Sequence, residues 1–214
     1  MDRCIECDED VVEGLAFLRE NDPNLHAAME MVDHVPLRRS TPDFAGLARI
    51  VIAQQVSVAS ARAITARTVA TLGEMSARVV AGATDDDLRR CGLSRPKQRT
   101  LRTIASALPD AEAFSRLNAL SGDELEDRLL QITGVGPWTA QIYRLFCVGE
   151  ADVLPAGDLA LQKAAGWALG LPDKMPADDL IEYGAVWSPW KGVAVRLLWA
   201  YYEAKQGGRA GIAI

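Results

Sequence analysis

The chain has 214 residues, of which 49% are hydrophobic and 24% are charged. This composition is that of an ordinary globular protein and excludes a disordered chain, a collagen-like repeat and a coiled-coil rod. Its apolar runs fall far short of the ~20 residues that cross a bilayer, so we expect no membrane-spanning segment. Residues 1–9 are acidic and lack the basic segment and apolar core of a secretory signal, which predicts a cytoplasmic protein.

Charge is distributed unevenly along the chain. With 23 Lys and Arg against 29 Asp and Glu, the net charge is −6. This argues against non-specific coating of nucleic acid, which needs clustered cations. Residues 88–109, however, contain no acid, and they hold six cations: Arg89, Arg90, Arg95, Lys97, Arg99 and Arg102. Such a run is typical either of a solvated helix face or of a surface that contacts phosphates.

The four cysteines do not form a metal-binding pattern. Cys4 and Cys7 have the spacing of half a zinc site, but no second pair follows. Cys91 and Cys147 lie far apart, which disfavours an iron–sulfur cluster held by four cysteines. We therefore predict no metal site, and a frayed N-terminus with two reduced thiols.

Helical periodicity dominates the sequence. Apolar residues from 44 to 52 recur with the spacing of a core-facing helix, for which Thr41 is the predicted N-cap and Pro42 lies in the first turn. Strand signals are nearly absent, so the predicted fold class is all-α. Further helices are predicted after Thr84, from the capping box at Ser121 and Glu124 through residue 132, and over 177–187 and 190–205.

Residues 129–147 predict two helices joined by a tight hairpin. Gly134 and Gly136 permit positive φ and leave the backbone bare, and Pro137 suits the first turn of the second helix. Free N–H groups at such a helix N-terminus can hold an anion, most simply a phosphate. A generic helix corner could use the same glycines, so the hairpin alone does not establish DNA binding.

A single carboxylate, Asp158, follows a Pro-x-Gly break and opens an apolar helical segment that extends to Leu169. Asp is an excellent N-cap residue, and a capping carboxylate is held rigidly by backbone N–H groups. Capping and catalysis are therefore compatible at this position, and the spacing alone does not choose between them.

Taken together, these motifs resemble the helix-hairpin-helix (HhH-GPD) superfamily of DNA base-excision glycosylases. The resemblance is to the alkylbase branch, the bacterial 3-methyladenine DNA glycosylase II (AlkA-like) enzymes, and it covers residues 15 to 205. The residues that carry it are the hairpin with Trp138, the Leu154-Pro-Ala-Gly-Asp158 segment, the segment from Ile52 to Val58 with Ala53 in place of the usual Gly, and the segment from Trp187 to Trp199.

The resemblance implies a DNA-repair enzyme that flips a damaged nucleotide out of duplex DNA and cleaves its N-glycosidic bond. Asp158 matches the catalytic carboxylate, and Trp138 and Trp199 match aromatic residues that bind a cationic base, with Tyr143 lining the same site. Gln55 matches the residue inserted into the gap, although its place on the apolar stripe also fits a buried amide. The DNA contacts implied are Gly134, Val135, Gly136, Trp138, Thr139, Arg95, Lys97 and Arg99.

The slot after the second hairpin glycine holds Trp138, whereas bifunctional members place a lysine there to form a Schiff base. The resemblance therefore implies a monofunctional glycosylase that uses water and lacks lyase activity. It requires no cofactor and no iron–sulfur cluster, and a monovalent cation on the hairpin carbonyls is the one ion to consider. Double-stranded DNA with damaged bases is the expected partner of a monomeric, nucleoid-associated protein.

The expected architecture is a compact, two-lobed form over residues 1–214 without the N-terminal sheet domain of the best-known relatives. A middle lobe would span 42–147, including the hairpin, and a second lobe would combine 10–41 with 148–205, leaving a cleft between them. Two other hypotheses stay open: a non-catalytic helix-hairpin-helix DNA-binding protein, and a glycosylase for oxidised or mismatched bases.

Overall fold

The helices of the chain are grouped into two units. The computed structural model describes residues 3–207; the first two residues of the acidic N-terminal segment and the last seven of the predicted 1–214 domain lie outside the described residues. Among those described, 3–39 and 149–207 form one unit, and Ser40–Val148 forms the other. Over residues 3–207 the structure contains no β-strand beyond an isolated bridge between Cys4 and Glu150, which confirms the all-α prediction.

The continuous unit, residues 40–148, contains eight α-helices within its described residues. The last of them runs on into one π-helical turn, Arg144–Val148. Its apolar core includes Ile50, Leu88, Leu101, Ile104 and Leu129, each at most 1% exposed. The helices are α3 (Phe44–Ala53), α4 (Val58–Leu72), α5 (Ala77–Gly82), α6 (Asp85–Arg90), α7 (Arg95–Ala107), α8 (Ala111–Asn118), α9 (Gly122–Leu130) and α10 (Pro137–Tyr143).

The other unit is assembled from both ends of the described chain around one buried helix. Every residue from 192 to 201 is buried, including Arg196, so this helix is enclosed on all sides and forms the centre of the unit. Helices from both segments pack against it. In chain order the helices are α1 (Asp8–Asn21), α2 (His26–Met31), α11 (Leu159–Ala168), α12 (Ala177–Tyr183) and the central α13 (Lys191–Lys205), with 3₁₀ turns at Pro23–Leu25 and Gly184–Trp187.

Side-chain caps define most of the predicted helix starts. Thr84 forms a capping box with Asp87, and Ser121 forms one with Glu124, as predicted. The start of α3 was placed wrongly: Asp43, not Thr41, is the N-cap and accepts from Gly46 N–H at 2.9 Å. Thr41 instead donates its hydroxyl to Asp43. A carboxylate accepts two donors at once, which makes Asp43 the better cap.

The prediction of a frayed N-terminus is also wrong. Ile5 N–H donates to Gly149 O at 2.7 Å, Ala151 N–H donates to Arg3 O at 2.9 Å, and the Ile5 side chain is fully buried. Cys7 is the N-cap of α1 and shares a capping box with Asp10. Neither Cys4 nor Cys7 is in a disulfide. One buried isoleucine and two backbone hydrogen bonds thus tie the segment down.

Asp22 organises hydrogen bonds within the same unit, although it is only 2% exposed. Its carboxylate accepts from the Trp187 indole N–H and from the Tyr183 hydroxyl, each at 2.8 Å, and from Asn24 N–H at 3.1 Å. Burial, followed by this bond to Asp22, raises the pKa of Tyr183 to about 12. Trp187 and Trp190 are both buried within this unit.

Within residues 3–207, no helix combines the length and the apolar character needed to cross a lipid bilayer.

Candidate nucleic-acid interface and active site

The hairpin between α9 and α10 has the tight backbone that its glycines predicted. Gly134 has φ +95°, and Val135 N–H closes the turn on Ile132 O at 2.9 Å. A Cβ on Gly134 would lie 2.1 Å from Thr100 Oγ1 of α7, so this position requires glycine for close packing as well as for its φ angle. A Cβ on Gly136 would meet no atom within 4 Å. The backbone at Gly136 therefore faces open space.

Helix α10 starts directly at this open backbone. Gly136 is its N-cap and Pro137 its first residue, so the first-turn N–H groups are presented beside the turn. Such groups and the positive end of the helix dipole attract an anion. Trp138 is half-buried in this first turn, and the side chain of Val135 is buried below the hairpin. The hairpin thus exposes its backbone at Gly136, and the buried Val135 side chain anchors it.

Gln55 lies at an exposed turn between α3 and α4, with φ +56°. This excludes the alternative of a buried amide on the apolar stripe, because α3 ends at Ala53 and the turn carries Gln55 outward. The preceding residue anchors the turn: Gln54 Nε2 donates to Thr139 Oγ1 of α10 at 2.6 Å. A direct hydrogen bond therefore links this turn to the helix that follows the hairpin.

Lys97 and Thr139 both have structural partners within the unit. The Lys97 ammonium donates to Ile52 O at the end of α3, at 2.7 Å, and burial lowers its pKa. The Thr139 side chain is 1% exposed and accepts from Gln54. Both residues therefore hold the Gln55 turn. The buried side chain of Thr139 does not contact DNA, which corrects that prediction, and the DNA contact of the partly exposed Lys97 stays a prediction.

The basic run is less positive than its sequence indicates. The three aspartates that open α6 form ion pairs with three arginines of the basic run: Asp85 with Arg102, Asp86 with Arg89, and Asp87 with Arg90. Arg95 and Arg99 are exposed, and neither has an ion-pair partner among the described residues. The positive charge available to a ligand is therefore concentrated on these two.

In the other unit, Asp158 is the N-cap of α11 and is held by two donors. Its Oδ1 accepts from Leu161 N–H at 2.9 Å and from the Trp199 indole N–H at 3.2 Å. The carboxylate is half-buried, whereas Trp199 is 1% exposed. Helix α13 carries Trp199, so the most buried helix of the unit fixes the orientation of the carboxylate. The predicted capping role of Asp158 is confirmed.

Tyr143 does not offer a binding surface. Its ring is fully buried, its hydroxyl donates to Asn118 Oδ1 at 2.9 Å, and burial raises its pKa. The prediction that Tyr143 lines a lesion-binding site is therefore corrected. Tyr143 lies five residues after Trp138, which places it about 140° further around α10 at 100° per residue. The two side chains therefore point to different sides, and Tyr143 is in the core of the unit.

Comparison with known proteins identifies the architecture. The family model of the HhH-GPD superfamily of base excision DNA repair proteins matches residues 48–189, about two thirds of the chain. The chain belongs to this superfamily. The match includes the Gln55 turn, the hairpin and Asp158, and the fold is accordingly the all-α HhH-GPD fold.

Three relatives illustrate the similarity. The probable bifunctional transcriptional activator/DNA repair enzyme AlkA of Mycobacterium tuberculosis is 28% identical over 214 residues, covering 94% of this chain and 42% of the relative. The 3-methyladenine DNA glycosylase Mag1 of Schizosaccharomyces pombe, solved with abasic DNA, has a TM-score of 0.78 at 25% identity and covers 89% of this chain and 95% of that one. A DNA-3-methyladenine glycosidase from Bacillus halodurans has a TM-score of 0.70 at 26% identity, with 91% of each chain covered.

The chain spans between two fifths and three fifths of the length of the curated relatives that it matches.

Two residues beside the predicted site residues carry no expectation from the sequence. Thr100 supports the hairpin through its contact with Gly134. Leu159, directly after Asp158, leaves an apolar side chain 52% exposed. One sequence signal was available for each residue. Thr100 lies opposite the arginines on a helical wheel, and Leu159 follows a capping carboxylate.

The Gln54–Thr139 bond yields a testable prediction. In Thr139→Val the shape of the side chain is kept but Gln54 loses its acceptor, so we expect the free energy of unfolding to fall by about 1–2 kcal/mol. The backbone amides of residues 54–57 should exchange with solvent faster than in the parent. Urea denaturation and hydrogen exchange measure both effects. Thr133→Val, at an exposed position beside the hairpin, is the matched control; equal exchange in both variants contradicts the prediction.

Proposed function

We propose that this protein is a monofunctional DNA glycosylase that excises cationic N-alkyl purines from duplex DNA and leaves an abasic site. The observation that carries the proposal is the half-buried Asp158 carboxylate, fixed by Leu161 N–H and by the Trp199 indole in a chain of the HhH-GPD superfamily. The 3-methyladenine glycosylases among its relatives and structural neighbours support the choice of substrate class.

The chemistry of an alkylated purine fits a site with one carboxylate. A purine alkylated on a ring nitrogen carries a positive charge, so the base leaves without an acid to protonate it. The N-glycosidic bond breaks with its electron pair moving to the base, which departs neutral, and the sugar acquires oxocarbenium character. Ordinary glycoside hydrolysis, by contrast, uses a pair of carboxyl groups.

Asp158 would stabilise the sugar cation and orient the water that attacks it. The new C–O bond forms at the sugar carbon that held the base, and the water gives up one proton as the abasic sugar forms. Because two N–H donors already hold Oδ1, the carboxylate needs no reorientation as positive charge develops. Preorganised charge of this kind is typically the largest single contribution to catalysis.

The hairpin and the Gln55 turn would supply the contacts with DNA. First-turn amides of α10 would bind a backbone phosphate at Gly136, where the backbone is open. Gln55, exposed at the end of a braced turn, would occupy the gap left by the flipped nucleotide. Both elements belong to the same unit and are linked through Gln54 and Thr139.

The two tryptophans would have different roles in lesion binding. Trp138 is half-buried on α10 and offers aromatic surface, and a cation over an indole gains roughly 0.5–2 kcal/mol, which favours charged lesions. Trp199, at 1% exposure, acts through its N–H on Asp158. We therefore assign Trp138 to the base and Trp199 to the positioning of the carboxylate.

The proposed reaction uses water alone and needs no cofactor. Within the described residues, no group of three or more His, Cys, Asp or Glu side chains is arranged to hold a metal ion. A monovalent cation on the hairpin carbonyls remains compatible with the turn at Gly134.

Asp158→Asn is expected to lower the rate of base excision at least 10²-fold, because it removes the charge that stabilises the sugar cation. Asn is as good an N-cap as Asp, so the fold and the affinity for DNA should be kept. The measurement is single-turnover release of methylated purines from alkylated duplex DNA, with binding measured in parallel. Asp179→Asn, exposed on α12, is the control.

The same assay distinguishes the alternatives. If the parent binds DNA but releases no base from alkylated, oxidised or mismatched duplexes, the protein is a non-catalytic binding module. If it prefers neutral oxidised or mismatched bases, the alkylbase assignment is wrong. If Asp158→Asn excises at the parent rate, Asp158 is not the catalytic carboxylate.

Trp199→Phe keeps an aromatic ring in the core but removes the donor to Asp158. A hydrogen bond to a charged group contributes about 1.5–3 kcal/mol, which predicts a kcat lowered roughly 10- to 100-fold with little change in KM. Steady-state kinetics on a lesion duplex separate the two constants. Trp190→Phe, at a buried residue of the same unit, controls for core disruption. A matching loss in both variants, or a rise in KM alone, contradicts a positioning role.

Borohydride reduction tests the expected absence of lyase activity. A Schiff base between an amine and the abasic sugar becomes a stable covalent complex when reduced, and Trp138 occupies the lysine slot of bifunctional members. We expect no trapped complex and no strand break in the product before alkaline treatment. A glycosylase with a lysine in this slot is the positive control; trapping of the present protein contradicts the assignment.

A further inference from the structure

Within α7, the cations of the basic run lie on two opposite faces of the helix. Lys97 and Thr100 point toward the end of α3 and the hairpin, as their contacts with Ile52 O and Gly134 demonstrate. At about 100° per residue, Arg95, Arg99 and Arg102 project from the other side of the helix. The arginines therefore project from the side of α7 opposite the one that supports the hairpin.

The outward face of α7 forms one wall of a surface depression of about 530 Å³. Four arginines line it, Arg89, Arg95, Arg99 and Arg102, and Asp85 is the one acidic residue in the lining. Gln98 forms part of its floor, 9% exposed and donating to Leu93 O at 2.8 Å. The depression is thus concave, cationic and built on regular helices.

The ion pairs of α6 fix part of this lining and leave the rest for a ligand. Asp85 holds Arg102, whose guanidinium also donates to Ala83 O at 2.9 Å, and Asp86 holds Arg89 at 2.8 Å. These contacts fix two guanidinium groups at the rim. Arg95 and Arg99, one helical turn apart, remain as neighbouring cations without an acidic partner in the part of the chain that the structure describes.

Two adjacent unpaired arginines repel each other unless an anion lies between them. Guanidinium groups bind phosphate oxygens with two parallel hydrogen bonds, which makes arginine the favoured side chain for this ligand. In a protein of net charge −6, a local concentration of cations indicates an anionic ligand.

We propose that Arg95 and Arg99 form a second phosphate-binding site that takes a DNA backbone segment distinct from the one at the hairpin. This inference rests on the proposed function, because it identifies the polyanion as DNA. The width of α7, about 10–12 Å with its side chains, separates the two sites. The segment belongs either to the lesion duplex, some distance from the damaged base, or to another duplex.

The test compares Arg95→Ala/Arg99→Ala with the parent protein and with Arg19→Ala/Arg116→Ala. The control loses the same charge at exposed positions on α1 and α8. Binding to a duplex of about 40 base pairs, roughly four helical turns, is measured as a function of salt. Each lost phosphate contact should reduce the slope of log K against log salt by about 0.9, so we expect a reduction of about 1.8 and a weaker affinity. A slope and an affinity equal to those of the control overturn the proposal.

Duplex length and stoichiometry distinguish the two sources of the segment. If it belongs to the lesion duplex, the double variant loses more affinity for the 40-base-pair duplex than for one of about 12 base pairs, just over one turn, at 1:1 stoichiometry. If it belongs to another duplex, the parent binds two short duplexes and the variant binds one. If the variant and the control behave alike with both lengths, no second site exists. If the parent binds DNA and excises bases while the double variant matches the control, this inference alone is refuted. If the parent has no affinity for DNA, the proposed function is refuted.

Discussion

The hydrogen-bonded carboxylate of Asp158, at the start of a helix, contributes both to the stability of this protein and to its proposed chemistry. Asp158 caps α11 through Leu161 N–H, and Trp199 on the buried helix α13 donates to the same oxygen. Because α13 is enclosed by helices from both ends of the described chain, the orientation of the carboxylate depends on the core of the whole unit. A capping role holds Asp158 in the fixed orientation that electrostatic stabilisation of a sugar cation requires.

Helix α7 has the corresponding role in the other unit. Its inward face supports both elements proposed to contact DNA: Lys97 binds the end of α3 below the Gln55 turn, and Thr100 contacts the backbone of Gly134. The Gln54–Thr139 bond connects the same elements directly. Through these links the turn and the hairpin are held at a fixed spacing, ready for the proposed contact with DNA. Such preorganisation reduces the entropy lost on binding.

Local signals in the sequence predicted much of this structure. Capping boxes and the hairpin glycines depend on neighbours within a few residues, and the fold class, the starts of α6, α9 and α11, and the tight turn were accordingly correct. Apart from the N-cap of α3, which lies two residues after the predicted one, the contacts that the sequence did not predict join residues that are distant in sequence. Lys97 binds a carbonyl 45 residues away, Thr139 an amide 85 residues away, and Tyr143 an asparagine 25 residues away. No periodicity encodes such pairs.

The same limit explains why the basic run was difficult to interpret. Counted along the chain, it is six cations without an acid, yet the three preceding aspartates neutralise three of them across helix turns and between helices. Three cations remain, and one of them, Lys97, donates to Ile52 O on the inward face of α7. The other two, Arg95 and Arg99, form a pair on the side of α7 opposite the hairpin. A chain of net charge −6 can therefore attract DNA only at defined places. This restriction favours a protein that holds its substrate at a few fixed contacts over one that coats nucleic acid, since uniform attraction to phosphate would require the cations that this surface lacks.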